Sequence, residues 1–174
     1  PGALVQADGQ LVAAMLAGPD AAALIGRGDW TAPEAVPTEQ LDNNVLVDRP
    51  WQLLEFLDDL LLVDLQGTTV PPIHPDRMPP GVAHFGEHRL YVSAHAAVEP
   101  NVTFNTTHGR VVVDYDARIG AGSVIEGPAY IGRASQVHPL TLLRQSVAIG
   151  PMCKVAGEIS HSIFFGHSNK AHAG

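Results

Sequence analysis

Aliphatic residues recur at every sixth position through much of the second half of the chain, at Ile119, Ile125, Ile131, Val137, Leu143, Ile149 and Val155. A second register, four residues after the first, holds mostly small residues: Ser123, Ala129, Ser135, Thr141, Val147 and Cys153. Helices repeat every 3.6 residues and half-exposed strands every two, so neither element explains a period of six. The pattern predicts a short strand followed by a tight turn. Three such steps close one coil of a triangular prism, with the aliphatic residue inside.

The same six-residue spacing extends upstream at Val92, Val98 and Phe104. A phase slip occurs near residues 105–112, and Val113 rejoins the main register. Because each coil leaves unpaired strand edges until the next coil stacks on it, the coils must be consecutive. We therefore expect a mainly β protein whose residues 90–174 form a parallel β-helix.

The first 66 residues have a mixed pattern that predicts a small α/β segment. Ala3 to Met15 reads as a β-hairpin around Asp8-Gly9, and Asp20 to Ile25 as a short helix that ends at Gly26. From Pro50 to Leu65 apolar residues recur at helical spacing, which predicts a second helix. Five prolines and two glycines between residues 67 and 89 mark a linker. The predicted organisation is 1–66, a linker over 67–89, and 90–174.

Composition limits the classes of partner. A formal net charge of -8 argues against nucleic acid as a partner, because little positive charge is available to neutralise phosphates. The single cysteine cannot form a disulfide within the chain and is typical of a reducing cytoplasm. No apolar run reaches the length of a membrane span. Cys153 falls in the small-residue register, which favours core packing over a nucleophilic role.

Three segments resemble one family of sugar-nucleotide enzymes: Gly127-Pro-Ala-Tyr-Ile-Gly132, Gly157-Glu-Ile-Ser160 and Gly166-His-Ser-Asn-Lys-Ala-His172. The family is the bifunctional UDP-N-acetylglucosamine diphosphorylase / glucosamine-1-phosphate N-acetyltransferase. The closer likeness is to its variant bacterial branch, the GlmU-like sugar nucleotidyltransferases, in which a motif like Arg49-Pro-Trp-Gln-Leu-Leu54 precedes the β-helix. The likeness covers most of residues 90–174 and is looser over 1–66.

The resemblance implies a left-handed β-helix that acts as a trimeric acyltransferase domain, here cut short. Residues 1–66 would then be the C-terminal part of a nucleotidyltransferase-like domain. The family's N-terminal Gly- and Arg-rich loop is absent, so Mg²⁺ would matter only for that missing active site. The implied co-substrate is acetyl-CoA, and the implied acceptor is an amino-sugar 1-phosphate, glucosamine 1-phosphate in the family.

The resemblance also implies roles for individual residues. His172 corresponds to the family's catalytic base, and imidazole chemistry suits proton abstraction near neutral pH. Arg144 corresponds to the arginine that grips the substrate phosphate, a task for which a guanidinium fork is suited. Glu158, Lys170 and Asn169 complete the expected substrate contacts. The lysine of the family's Glu-x-Lys motif is replaced by Ser160, and two residues are missing between Arg144 and Glu158.

Two alternatives remain open at this level. In the first, the β-helix only assembles or regulates a sugar-phosphate nucleotidyltransferase, which the loss of the lysine at Ser160 favours. In the second, the protein is a hexapeptide zinc enzyme of carbonic-anhydrase type, which needs three histidines across chains. His161, His167 and His172 are spaced so that consecutive members fall on different faces of the prism. We therefore expect no metal site within one chain.

Overall fold

The computed structural model describes residues 3–7, 10–27, 37–40, 47, 49–71 and 78–172. The chain forms two compact units, Pro1–Asp48 and Arg49–Gly174. This division falls before the second predicted helix and not in the predicted linker, so that helix belongs to the same unit as the β-helix. The functional assignment of the three predicted segments stays a prediction.

The described residues of the first unit form three strands and one helix. Strands β1 (Ala3–Ala7) and β2 (Gln10–Met15) pair antiparallel, which confirms the predicted hairpin, and β3 (Thr38–Gln40) pairs parallel to β1. The turn residues Asp8 and Gly9 lie outside the described residues. Helix α1 (Gly18–Arg27) continues through Gly26, so the predicted stop at this glycine is wrong. Gly26 does not have the positive φ of a helix-ending glycine.

In the second unit, the residues that the structure describes form fifteen short strands. They are arranged in three parallel sheets of five, which are the three faces of a prism with five coils. Face 1 contains β4 (Ala83–Phe85), β7 (Thr103–Asn105), β10 (Val124–Glu126), β13 (Leu142–Leu143) and β16 (Glu158–Ile159). Face 2 contains β5 (Leu90–Val92), β8 (Val111–Val113), β11 (Ala129–Ile131), β14 (Val147–Ile149) and β17 (Ser162–Phe164). Face 3 contains β6 (Ala97–Val98), β9 (Arg118–Ile119), β12 (Gln136–Val137), β15 (Lys154–Val155) and β18 (Asn169–Lys170).

This architecture confirms the predicted fold class and matches a left-handed parallel β-helix. Residues of the six-residue register stack in line between coils: Ile119 pairs with Val137 on face 3, and Ile131 pairs with Ile149 on face 2. The whole predicted series from Ile119 to Val155 is buried inside the prism. Burial of this continuous aliphatic column is the main stabilising contribution to the fold.

The small-residue register lies at or next to the corners of the prism, where serine side chains form hydrogen bonds between one coil and the next. Ser135 Oγ donates to the carbonyl oxygen of Gly150 (2.7 Å) and accepts from the backbone N–H of Cys153 (2.9 Å). Ser123 Oγ donates in the same way to His138 O, at 3.0 Å. These positions are buried, and a larger side chain would displace the next coil.

The coil length changes at the ends of the regular series. Phe104 pairs with Ile125, a separation of 21 residues, so the phase slip is three extra residues in the turn before β8. Leu143 pairs with Ile159 only sixteen residues on, which is the predicted two-residue shortening. The β-helix begins at β4, inside the predicted linker, because β4 pairs in register with β7. The predicted start at residue 90 is therefore too late.

A helical segment, residues 52–67, lies along face 2, and we call it the strap. It contains α2 (Gln52–Glu55), α3 (Leu57–Asp64) and a 3₁₀ turn (Leu65–Gly67), which confirms the predicted second helix. Leu57, Leu61 and Leu65 are buried against the central outward row of face 2. That row consists of Tyr91, Val112, Tyr130, Ala148 and Ile163, one residue from each strand.

Within the described residues, no helix has the length and apolar character needed to cross a lipid bilayer.

Candidate functional site

A polar cleft of about 340 Å³ lies at the corner between faces 1 and 2, beside the strap. The turns that follow β10, β13 and β16 converge here because they occupy the same position in successive coils. The strap contributes one side chain to the wall. The lining residues are Asp58, Glu126, Arg144, Gln145, Ser146, Ser160 and His161.

The structure brings two of the predicted substrate ligands together at this cleft. Arg144 Nε lies 2.5 Å from Glu158 Oε1, across adjacent coils. The backbone N–H of Arg144 donates to Ile159 O, which fixes the backbone at Arg144 on the prism. Both side chains are more than half exposed, and the rest of the guanidinium can therefore meet a ligand from solvent.

A second group of contacts fastens the strap to the same cleft. Ser146 Oγ donates to Asp58 Oδ1, and the Ser146 backbone has the left-handed conformation, with φ 62°. His161 Nε2 contacts Leu54 O at 2.7 Å, which requires its proton on this nitrogen because a carbonyl only accepts. His161 Nδ1 lies 3.7 Å from Asp58 Oδ1. These contacts hold Asp58 in the wall of the cleft.

The remaining predicted site residues lie away from the cleft, on face 3 or directly after its last strand. Lys170 occupies an inward position paired with Val155, and its Nζ donates to Ala156 O (2.9 Å) and His172 O (3.0 Å). His172 follows β18 and is exposed. Asn169 lies on face 3, paired with Lys154. Within one chain, Arg144 and His172 are therefore at opposite edges of face 1.

The three histidines considered as a metal site lie at different places around the prism, as their spacing predicted. His161 lies between β16 and β17, His167 between β17 and β18, and His172 after β18. Over the ranges that the structure describes, no group of three or more His, Cys, Asp or Glu residues is placed to hold a metal ion. A zinc site built from these three histidines would need copies from more than one chain.

A second cavity, of about 430 Å³, lies between the end of the strap and face 2. Tyr130 lines it, and its hydroxyl donates to Asp114 Oδ2 at 2.8 Å. Burial raises the pKa of Tyr130 to about 12, and the hydrogen bond to Asp114 and the charge of that carboxylate add to the shift. The phenol is therefore neutral at physiological pH and acts as a hydrogen-bond donor.

Four polar residues of the cleft were not considered from the sequence as site residues: Asp58, Glu126, Gln145 and Ser146. Asp58 interrupts the apolar pattern of the predicted helix, and a carboxylate in such a run is the one signal that could have identified it. Nothing in the spacing of Glu126 or Ser146 distinguishes them from other turn residues. Their role depends on the position of the strap, which the six-residue period does not encode.

Comparisons with known proteins identify no family for this chain. No family model matches the sequence, and no curated protein matches it. Among solved structures, the chain is similar to PerB from Caulobacter crescentus, which was crystallised in complex with CoA and GDP-perosamine. That alignment has 17% sequence identity, covers 99% of this chain and 93% of PerB, and gives a TM-score of 0.26. At this low level of similarity, no ligand or residue role can be assigned to this chain from PerB. The fold assignment depends on the strand register described above.

Proposed function

We propose that the second unit is the acyltransferase domain of a GlmU-like sugar nucleotidyltransferase. In this proposal it transfers acetyl from acetyl-CoA to the amine of an amino-sugar 1-phosphate such as glucosamine 1-phosphate. The fold alone supports only a class, since many functions share one fold. The observation that carries the proposal is the position of Arg144, exposed at the mouth of a polar cleft on a rigid prism corner.

The chemistry needs a phosphate ligand, a base and a bound thioester. Arg144 supplies a guanidinium fork for the phosphate. His172 supplies an imidazole that accepts the proton of the amine as the nitrogen attacks the thioester carbonyl, and the thiolate of CoA leaves. Holding both substrates side by side provides much of the rate enhancement.

The placement of these two residues supports a site shared between copies of the chain. Arg144 and His172 lie at opposite edges of face 1, so a single sugar phosphate that contacts both would take them from neighbouring copies. We therefore include a homotrimer in the proposal, with small molecules as the other partners and neither nucleic acid nor membrane. Cytoplasmic localisation belongs to the same proposal.

An assay of the complete protein tests the proposal. It would be incubated with acetyl-CoA and glucosamine 1-phosphate, and release of free thiol would be followed. Cys153 is fully buried, so this residue contributes little background signal. We expect His172→Ala to abolish turnover and Arg144→Gln to raise KM for the sugar phosphate. The exposed residues His108 and Arg89 provide matched controls, as His108→Ala and Arg89→Gln. Absence of thiol release by the wild-type protein would reject the proposal.

A non-catalytic role in assembly or regulation is the second candidate. Two observations favour it: Glu158 already neutralises Arg144 at 2.5 Å, and Ser160 replaces the family's lysine on the wall of the cleft. In that case acetyl transfer is absent, and nucleotidyl transfer by the complete protein depends on assembly of the β-helix. His172→Ala would then leave nucleotidyl transfer unchanged, whereas variants that weaken assembly would lower it.

A further inference from the structure

Face 3 is a broad side of the β-helix that the strap does not cover, because the strap lies along face 2. Its central outward row is Ala97, Arg118, Gln136, Lys154 and Asn169, and all five residues are exposed. The row holds two cations and no carboxylate, in a chain whose net charge is -8. At its edges, Arg133 adds a positive charge, and Asp116 and Glu99 are the neighbouring acids.

Large apolar side chains border this row on both edges. Leu140, at the corner between faces 3 and 1, is 80% exposed, and Met152 and Phe165, at the corner between faces 2 and 3, are 57% and 69% exposed. Leu140 and Met152 also have left-handed backbone conformations, with φ 60° and 58°. Bulky residues are rare in this conformation, where Gly or Asn is preferred. In an isolated chain, Leu140 and Met152 therefore expose large apolar side chains to water and also adopt an unfavourable backbone conformation.

The side of the strap that faces away from face 2 carries negative charge and apolar side chains, which complement the positive and apolar residues of face 3. Residues 52–67 contain no lysine or arginine and four carboxylates, of which Asp58 lies in the cleft wall while Asp59 and Asp64 are exposed. Leu60, Leu62 and Val63 are also exposed on the strap, although Leu57, Leu61 and Leu65 already fill its contact with face 2. The exposed side of the strap therefore carries both negative charge and large apolar side chains.

We propose that the strap of one copy docks on face 3 of a second copy of the chain. The strap's carboxylates would meet Arg118 and Lys154, and its exposed leucines and Val63 would cover Leu140, Met152 and Phe165. The two surfaces are different and both belong to the unit Arg49–Gly174, so every copy offers one of each. Such head-to-tail contacts generate closed rings when the rotation between copies closes. This inference assigns the faces that assemble and does not depend on acyl transfer.

The test measures the mass of the protein by sedimentation over a range of concentrations, without substrate. We expect the combined variant Arg118→Glu/Lys154→Glu to weaken association at least tenfold. Adding Asp59→Lys and Asp64→Lys to the same chain should restore it. Raised salt should also weaken association of the wild type. Glu39→Lys, a reversal at an exposed acid of the first unit that belongs to neither surface, is the control and should have no effect.

The variant Leu140→Asn distinguishes an effect on association between copies from an effect on the stability of the single chain. Asn tolerates the left-handed conformation better than Leu, so the melting temperature of the dissociated chain should be unchanged or higher while association weakens. A wild type that is monomeric at all concentrations would overturn the inference. So would association that is unaffected by Leu140→Asn and by the charge reversals, or association that Glu39→Lys weakens equally.

Discussion

Arg144 and Glu158 form an ion pair between adjacent coils, with Nε 2.5 Å from Oε1 and with 53% and 62% of the side chains exposed. Exposed pairs of this kind contribute only about 0–1 kcal/mol to stability, because water screens them and both side chains lose freedom. The pair is therefore more informative about the ligand than about the fold. A phosphate that binds Arg144 must compete with the Glu158 carboxylate.

The first prediction concerns this competition. In Glu158→Gln the carboxylate no longer neutralises Arg144 or repels a phosphate, so KM for the sugar phosphate should fall by about tenfold, within the range of one charged hydrogen bond. Stability should change by less than about 1 kcal/mol. Steady-state kinetics of the complete protein measures the effect. Arg144→Gln is the matched variant and should raise KM; a KM that Arg144→Gln leaves unchanged would contradict a phosphate role for Arg144.

The second prediction concerns the strap. Leu61 is buried against face 2, so Leu61→Ala should lower the free energy of unfolding by about 2–5 kcal/mol. Leu62, the next residue, is exposed, and Leu62→Ala should cost less than about 1 kcal/mol in dilute, dissociated protein. Denaturant unfolding at low protein concentration compares the two. Equal effects would show that the strap does not pack on the prism as described.

The interior of the β-helix could be predicted in detail, since each coil repeats the same local rule. Ile125 and Leu143 face inward because every sixth residue must, and the phase slip before Val113 was visible as an interruption of that rule. The strap was predicted only as a helix. Its position depends on the outward row of face 2, where Val112, Ala148 and Ile163 fall outside the six-residue register.

The candidate site was predicted less completely for the same reason. Resemblance placed Arg144 and Glu158 in one site, and the structure brings them into contact. It also grouped them with His172, which lies at the other edge of face 1 in one chain. Contacts between sequence-distant segments, such as Ser146 with Asp58, leave no periodic signal.

The third prediction concerns the single cysteine. Cys153 is fully buried at a corner, and its Sγ donates to Phe165 O at 3.1 Å. A thiol without access to solvent reacts slowly, so a thiol reagent should label the folded protein far more slowly than the unfolded protein. Cys153→Ala should retain acetyl transfer activity, since the residue packs and does not react. Rapid labelling of the native protein would contradict the burial.

The fourth prediction concerns pH. The pKa of Tyr130 is raised to about 12 in the folded protein, from an ordinary value near 10, chiefly by burial and further by Asp114. The folded state therefore keeps this proton over a range in which the unfolded state loses it. The resulting stabilisation is fully present below pH 10 and is lost as the pH rises toward 12.

Comparison with Tyr130→Phe isolates this effect from other alkaline titrations. The difference in unfolding free energy between wild type and variant should be constant up to pH 10 and then shrink. Absorbance of the ionised phenol gives a second measure, because one tyrosine of the wild type should titrate near 12 and be missing from the variant. In Asp114→Asn the titration should move down but stay above 10, since burial is the larger cause. A Tyr130 titration at 10 in the wild type would show that the hydroxyl is neither buried nor bonded to Asp114.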